Sequence, residues 1–294
     1  MIKFKTIFIF LTGIILFSCT PKKEQLLINN PVDTIKLTSD IMTPEVLWSF
    51  GRVGGVEVSP DQKTVLFGVS FYNVEQNRGN REVFTLPADG GEAKNITNTE
   101  SGEYSAIWRP DGKKIGFLST ESGSLQLWEM NPDGTSRIQI SNIEGGINGF
   151  KYSPDQSKVV FIKDVKIDKS VVDIYPDLPK AEARIETDLM YRHWDKWHDY
   201  TYSHIFIADY DGNNLSNAYD IMEGERFDSP MEPFGGMEEI CWSPDSKELA
   251  YTCKKLAGKQ YTLSTNSEIY IYNLESKETK NITQGLMGYD INPV

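Results

Sequence analysis

The sequence predicts an all-β fold, a partial β-propeller of about four four-stranded antiparallel blades plus the first strand of a fifth. A Pro-Asp turn recurs four times, as Ser59-Pro60-Asp61, Arg109-Pro110-Asp111, Ser153-Pro154-Asp155 and Ser243-Pro244-Asp245, with a lysine close behind each. The prolines at 60, 110, 154 and 244 repeat at the period of propeller blades, the last gap being two periods long. Large apolar residues also keep register around each proline. Val58, Trp108, Tyr152 and Trp242 stand two residues before it, Val65, Ile115, Val159 and Leu249 five after, and Phe67, Phe117, Phe161 and Tyr251 seven after.

The last two offsets differ by two, so their side chains share one face of a strand, and a hairpin through Pro-Asp sets the first offset opposite the second. Proline fixes φ for the second position of a type I turn, and the aspartate carboxylate accepts nearby backbone N–H groups. Only the second unit follows aspartate with glycine, Gly112. Gln62, Gln156 and Ser246 fill that place elsewhere, which predicts type I turns without a left-handed residue there.

Third strands are expected at 82–86, 125–130, 204–208 and 268–273, and fourth strands at 94–97, 137–141 and 280–283. The turns Asp89-Gly90-Gly91, Pro132-Asp133-Gly134 and Asp211-Gly212-Asn213 connect such strands. Four antiparallel strands per repeat define a blade. A β-sandwich also has closely spaced strands, but it needs no fixed long period. The blades are placed at about 50–98, 101–142, 146–220 and 236–284, and residues 286–294 open a fifth. Residues 41–294 are thus one incomplete propeller.

Residues 1–18 read as a lipoprotein signal peptide. Lys3 and Lys5 precede an apolar run from Ile7 to Phe17 that is too short to span a bilayer. Leu16-Phe17-Ser18-Cys19 resembles a lipoprotein processing box, with Cys19 as the lipidated residue, and 19–40 read as a flexible tether. A membrane contact through an N-terminal lipid and a location in the cell envelope, periplasm or outer membrane, follow as expectations. The formal net charge of −12, with no basic cluster, argues against nucleic acid as a partner. Cys241 and Cys253 fall on paired strands with opposite facing, so no disulfide is expected between them.

The chain contains no Gly-x-Ser-x-Gly elbow, so no serine is marked as a nucleophile and no catalytic residue is assigned. His193, His198 and His204 are spaced by five and six residues, which aligns no two rings on a helix face. They read as surface histidines, solvated or hydrogen-bonded, and neither a metal nor a cofactor is implied. The third unit carries an insertion, about 165–203, that contains Trp194 and Trp197, and an acidic stretch Asp220-Ile221-Met222-Glu223-Gly224-Glu225 follows the blade. Aromatics on a loop above a rigid scaffold suit a contact surface, and carboxylates beside them suit a cationic group. The plainer readings are a loop packed on the propeller face and a solvated connector. The sequons at Asn95, Asn214 and Asn281 are assigned no glycosylation role.

Several strings resemble the prolyl oligopeptidase family of serine peptidases, its bacterial dipeptidyl-peptidases in particular. They are Thr43-Pro44-Glu45 through Gly51-Arg52-Val53, Ser141 to Ile147, Asp173 to Leu178, Thr187 to Trp197, Met222 to Glu225 and Ser264 to Leu274. In that family a propeller caps an α/β-hydrolase domain that carries the triad. The resemblance implies a propeller portion without the catalytic domain, inactive alone, that gates oligopeptide substrates. It also implies that acidic propeller residues hold the substrate's free amine, a role that falls on Glu223 or Glu225, walled by Trp194 and Trp197. The alternative is a non-catalytic envelope propeller that acts as a binding module, its ring closed by a partner or a dimer.

Overall fold

The computed structural model describes residues 39–294. Cys19, the signal segment and most of the tether lie outside the described residues. A short helix α1 (Pro44–Ser49) comes first, its N-terminus capped by Thr43, whose hydroxyl accepts the Val46 N–H at 3.4 Å. Four separate four-stranded antiparallel sheets follow. Blade 1 holds β1 (Arg52–Val58), β2 (Thr64–Asn73), β3 (Arg78–Pro87) and β4 (Lys94–Asn95), and blade 2 holds β5 (Tyr104–Trp108), β6 (Ile115–Ser119), β7 (Gln126–Met130) and β8 (Ile138–Gln139). Blade 3 is β9 (Gly149–Tyr152), β10 (Lys158–Lys166), β13 (Thr201–Tyr210) and β14 (Leu215–Asp220). Between its second and third strands the insertion forms α2 (Val171–Ile174) and a small hairpin of β11 (Arg192–His193) and β12 (Lys196–Trp197). Blade 4 is β15 (Ile240–Trp242), β16 (Glu248–Cys253), β17 (Glu268–Asn273) and β18 (Thr279–Asn281), with helix α3 (Gly258–Leu263) between β16 and β17.

The hairpin register is the one the apolar offsets predict. Val58 pairs with Val65, Trp108 with Ile115, Tyr152 with Val159 and Trp242 with Leu249. The turn itself departs from expectation. Gln62, Gly112, Gln156 and Ser246 all have φ between 60° and 69°, so all four turns carry a left-handed residue after aspartate. The cause is a fixed hydrogen-bond pattern. In blade 1 the Gln62 N–H donates to Ser59 O at 2.8 Å, the Ser59 N–H to Thr64 O at 2.8 Å and the Ser59 hydroxyl to Asp61 Oδ1 at 2.6 Å. The Lys63 N–H reaches the same carboxylate at 3.1 Å, and reversing the chain within these bonds requires the positive φ. Arg109 replaces the serine in blade 2 and grips Asp111 with two N–H groups at 2.9 Å.

Each blade's Pro-Asp hairpin points its large apolar residues at the blade before it. Ile115 and Phe117 pack with Leu66, Val83 and Ile96 of blade 1. Val159 and Phe161 pack with Leu118 and Leu127 of blade 2, and Leu249 and Tyr251 with Val160, Ile162 and Ile205 of blade 3. Phe117 and Phe161 are 0% exposed and Tyr251 1%. No other blade among the described residues covers that face of blade 1, where Phe67 stays half-buried and stacks on Phe84 at 5.7 Å.

A polar lock repeats at the outer edge of the blades. The Val83 N–H donates to Thr97 Oγ1 at 2.9 Å, the Leu127 N–H to Ser141 Oγ at 2.8 Å and the Ile269 N–H to Thr283 Oγ1 at 3.0 Å. The residue before each donor, Glu82, Gln126 or Glu268, bonds the same outer segment. The Asn-Ile-Thr sequons at 95 and 281 therefore have a structural role: the threonine hydroxyl ends the ladder. Each crossover then returns one N–H to the residue before the lock, Glu103 to Arg81 O at 2.8 Å, Ile147 to Leu125 O at 2.9 Å and Ser229 to Ser203 O at 2.8 Å. Asp290 does the same to Ser267 O at 3.4 Å. Where a fifth blade is expected, residues 286–294 form one parallel bridge, Ser267 with Tyr289, and no strand.

Cys241 pairs with Ala250 while Cys253 lies on the opposite face of the blade, and both are free thiols. β10 runs to Lys166 and β13 begins at Thr201, so the insertion spans residues 167–200.

Candidate functional site

The insertion, the connector after β14 and the segment at 256–261 enclose a cavity of about 680 Å³. Its aromatic wall includes Tyr191, Trp197, Tyr202 and Tyr261, and its carboxylates include Asp168, Asp188, Asp228 and Glu232. Gly258 permits the insertion to close on α3, since a Cβ there would sit 2.4 Å from Asp188 Oδ2. Asp168 Oδ2 accepts from Tyr202 Oη and from Arg226 Nη2, both at 2.9 Å. The His198 ring lies 4.9 Å from that of Tyr202.

Asp228 is the most perturbed carboxyl of this wall. Burial pushes it up to about 6, against the Ser203 N–H that donates to its Oδ1 at 2.9 Å. Burial also pushes the Tyr261 phenol up to about 12, reinforced by the nearby Asp228 and Glu232 charges. Among the described residues, no group of three His, Cys, Asp or Glu is placed to hold a metal ion. Carboxylates under an aromatic wall, the former incompletely compensated, suit a cationic ligand group.

The structure divides the residues singled out from the sequence. Trp197 lines the cavity and stacks on Tyr191 at 5.9 Å. Trp194, 73% exposed at the tip of the β11–β12 hairpin, packs edge-to-face on Phe234 at 5.5 Å, outside the lining. Glu223 is exposed on the connector, also outside the lining. Glu225 is half-buried and pairs with Lys255, Nζ to Oε1 being 2.6 Å. The neighbouring cation Arg226 turns away to Asp168. Asp228, Glu232 and Tyr261 escaped the sequence reading. The two acids lie just past the acidic stretch, whereas Tyr261 arrives from another blade and leaves no local signal. His204 differs from expectation as well, being fully buried rather than on the surface.

Successive four-stranded antiparallel sheets with an insertion over one end define a propeller-like scaffold that carries a cavity. Dipeptidyl-peptidase 5 of Porphyromonas gingivalis is 52% identical over 256 residues, which cover 87% of this chain and 37% of that protein. Dipeptidyl-peptidase 5 of Porphyromonas endodontalis is 39% identical over 255 residues, with the same coverage of 87% and 37%. The chain thus spans just over a third of the length of these curated relatives. An acylaminoacyl peptidase solved in complex with Z-Gly-Gly-Phe-chloromethyl ketone shares the fold, with a TM-score of 0.57 and 12% identity over 80% of this chain and 33% of that one. No family model matches the chain. By these relatives the chain belongs to the prolyl oligopeptidase family, as its sequence strings imply.

Proposed function

We propose that the chain is the propeller portion of an envelope serine dipeptidyl-peptidase, tethered through a lipid on Cys19, and that its insertion-side face anchors the free amine of an oligopeptide. The observation that carries this reading is the 52% identity to a dipeptidyl-peptidase 5 across 87% of the chain. With no Gly-x-Ser-x-Gly elbow in these 294 residues, the hydrolytic serine is supplied outside them. An acidic cavity beside aromatic walls supports recognition of an ammonium group on this face. Glu223 or Glu225, on the connector that leads into the lining at Arg226 and Asp228, would receive the amine, with Trp197 of the lining and Trp194 on the hairpin tip bounding the peptide. Because Lys255 already neutralises Glu225, the incoming amine has to displace or share that ion pair.

Calorimetric binding of a tripeptide with a free amine, beside its N-acetylated analogue, tests the reading. A charge-assisted hydrogen bond contributes about 1.5–3 kcal/mol, so acetylation is expected to weaken binding by roughly 10- to 150-fold. Glu223→Ala combined with Glu225→Ala is expected to erase that preference. Equal affinity for the two peptides would overturn amine anchoring and favour a binding module indifferent to the peptide terminus.

A further inference from the structure

Blade 3 departs from the lock used by its neighbours. Where the other blades place a threonine or serine hydroxyl, it has Met222, which is 1% exposed, and where they place glutamate or glutamine it has His204, which is 0% exposed. His204 Nδ1 lies 2.7 Å from Asp220 Oδ2, and Nε2 lies 3.0 Å from the Glu225 carbonyl oxygen. A carboxylate and a carbonyl can only accept, so both ring nitrogens donate, and a ring with two N–H groups is an imidazolium. The other Asp220 oxygen accepts the Met222 N–H at 2.7 Å, and the Glu225 N–H closes a turn on Met222 O at 2.9 Å. One buried ring therefore ties the two ends of the 220–225 connector.

We propose that His204 is a buried imidazolium clamp, a positioning residue that holds the connector bearing Glu223 and Glu225, and that loss of its proton releases the Glu225 end. Its relevance to the peptide amine rests on the function proposed above; the clamp itself does not. On deprotonation one ring nitrogen presents a lone pair to an oxygen lone pair, and that contact becomes repulsive. The Asp220 bond is the charge-assisted one, so the neutral ring keeps Nδ1–H and gives up the Glu225 carbonyl.

The charged surroundings favour the cation at one end and buffer it at the other. Asp220 comes from β14, Glu225 with its partner Lys255 and Asp228 from the connector side, and Lys163 is the register partner on β10. The adjoining blade turns Leu125, Ile143 and Ile147 towards this face, and Glu144 sits beside Gly145, which approaches the Lys163 side chain. Burial pulls the His204 titration down, but the Asp220 hydrogen bond and charge and the Glu225 carbonyl outweigh it and leave the net shift upward. The sign follows directly. A histidine raised in the folded state contributes stability fully present below its unfolded value near 6.5, and lost as pH rises through the folded value.

Ring ¹⁵N NMR of the ligand-free chain from pH 5 to 9, combined with hydrogen exchange of residues 221–228, tests the clamp. The expected result is two protonated ring nitrogens at pH 5, a titration midpoint above 6.5 and extra opening of 221–228 through the same midpoint. Asp220→Asn keeps an acceptor but removes the charge, so it should lower the midpoint while leaving the connector protected at pH 5. His204→Gln should abolish the pH-linked opening. A midpoint at or below 6.5, or exchange of 221–228 that tracks only the intrinsic amide rate while the ring titrates, would overturn the proposal. If His204→Gln does not fold, Asp220→Asn still decides. No peptide is present in this experiment, so failed peptide binding and a failed clamp are separate results.

Discussion

Replacing the left-handed residue of each Pro-Asp turn yields a graded stability series. A non-glycine residue at positive φ costs about 1–2 kcal/mol, and glycine returns about 0.5–1 kcal/mol of that as lost chain entropy. Gln62 and Gln156 sit at φ 62° and 60° and their side chains make no hydrogen bond among the described residues, so Gln62→Gly and Gln156→Gly should each stabilise by about 0.5–1 kcal/mol. Ser246 differs, since its hydroxyl accepts the Asp155 N–H of the neighbouring blade at 3.1 Å. Losing that bond costs about 0.5–1.5 kcal/mol, so Ser246→Gly should come out near zero. Gly112 supplies the converse. A Cβ there meets Pro60 Cδ at 3.6 Å, an ordinary contact, so Gly112→Ala should cost about 1 kcal/mol from backbone strain alone. Urea unfolding at constant m-value reads the series, and the gains of Gln62→Gly and Gln156→Gly should add because the turns lie in separate blades. A neutral Gly112→Ala, or a Ser246→Gly gain equal to that of Gln156→Gly, would refute the reasoning.

Two further outcomes are expected. Glu129 is 0% exposed and holds Tyr152 Oη at 2.7 Å, Tyr210 Oη, and Arg109 Nη1 at 3.5 Å, joining blades 2 and 3; Tyr152→Phe should therefore lower stability by about 1.5–3 kcal/mol in thermal or urea melts, and a loss under 0.5 kcal/mol would contradict it. Asp228, raised to about 6 by burial, keeps a proton in the fold that the unfolded chain releases near 3.8, so its contribution favours the native state at low pH and is lost as pH rises to 6. Asp228→Asn should match the wild type at pH 4 and exceed it by about 2–3 kcal/mol at pH 7.5, and parallel pH profiles of urea midpoints would rule this out.

Much of the scaffold is legible in the sequence because it repeats. The Pro-Asp turn and its flanking apolar offsets give blade number, hairpin register and the facing of Cys241 and Cys253 without any tertiary information. The left-handed residues escape because glutamine and serine carry no propensity signal for positive φ; the surrounding hydrogen bonds impose it. The fourth strand of blade 3 escapes because Met222 stands where the other blades supply a hydroxyl, and His204 with Asp220 replaces the lock. At the cavity, Trp197 lies in the lining and the acidic stretch stops one residue short of it at Arg226, and the lining is assembled from three distant segments. Which carboxylate enters it depends on how the connector turns between Glu225, paired to Lys255, and Asp228, tied to the Ser203 N–H.

The backward aim of each hairpin bears on synthesis. As a nascent chain emerges, blade 1 can pair its own strands at once, but its forward face closes only when Ile115 and Phe117 of the next repeat appear. Each new repeat thus completes the apolar core of the one before, and only one forward face is open at a time. That face is built of modest side chains, Cys241, Ala250 and Ile271 in blade 4, while the bulky aromatics arrive on the docking side. Vectorial assembly in this order limits the sticky surface that a growing propeller shows to other chains.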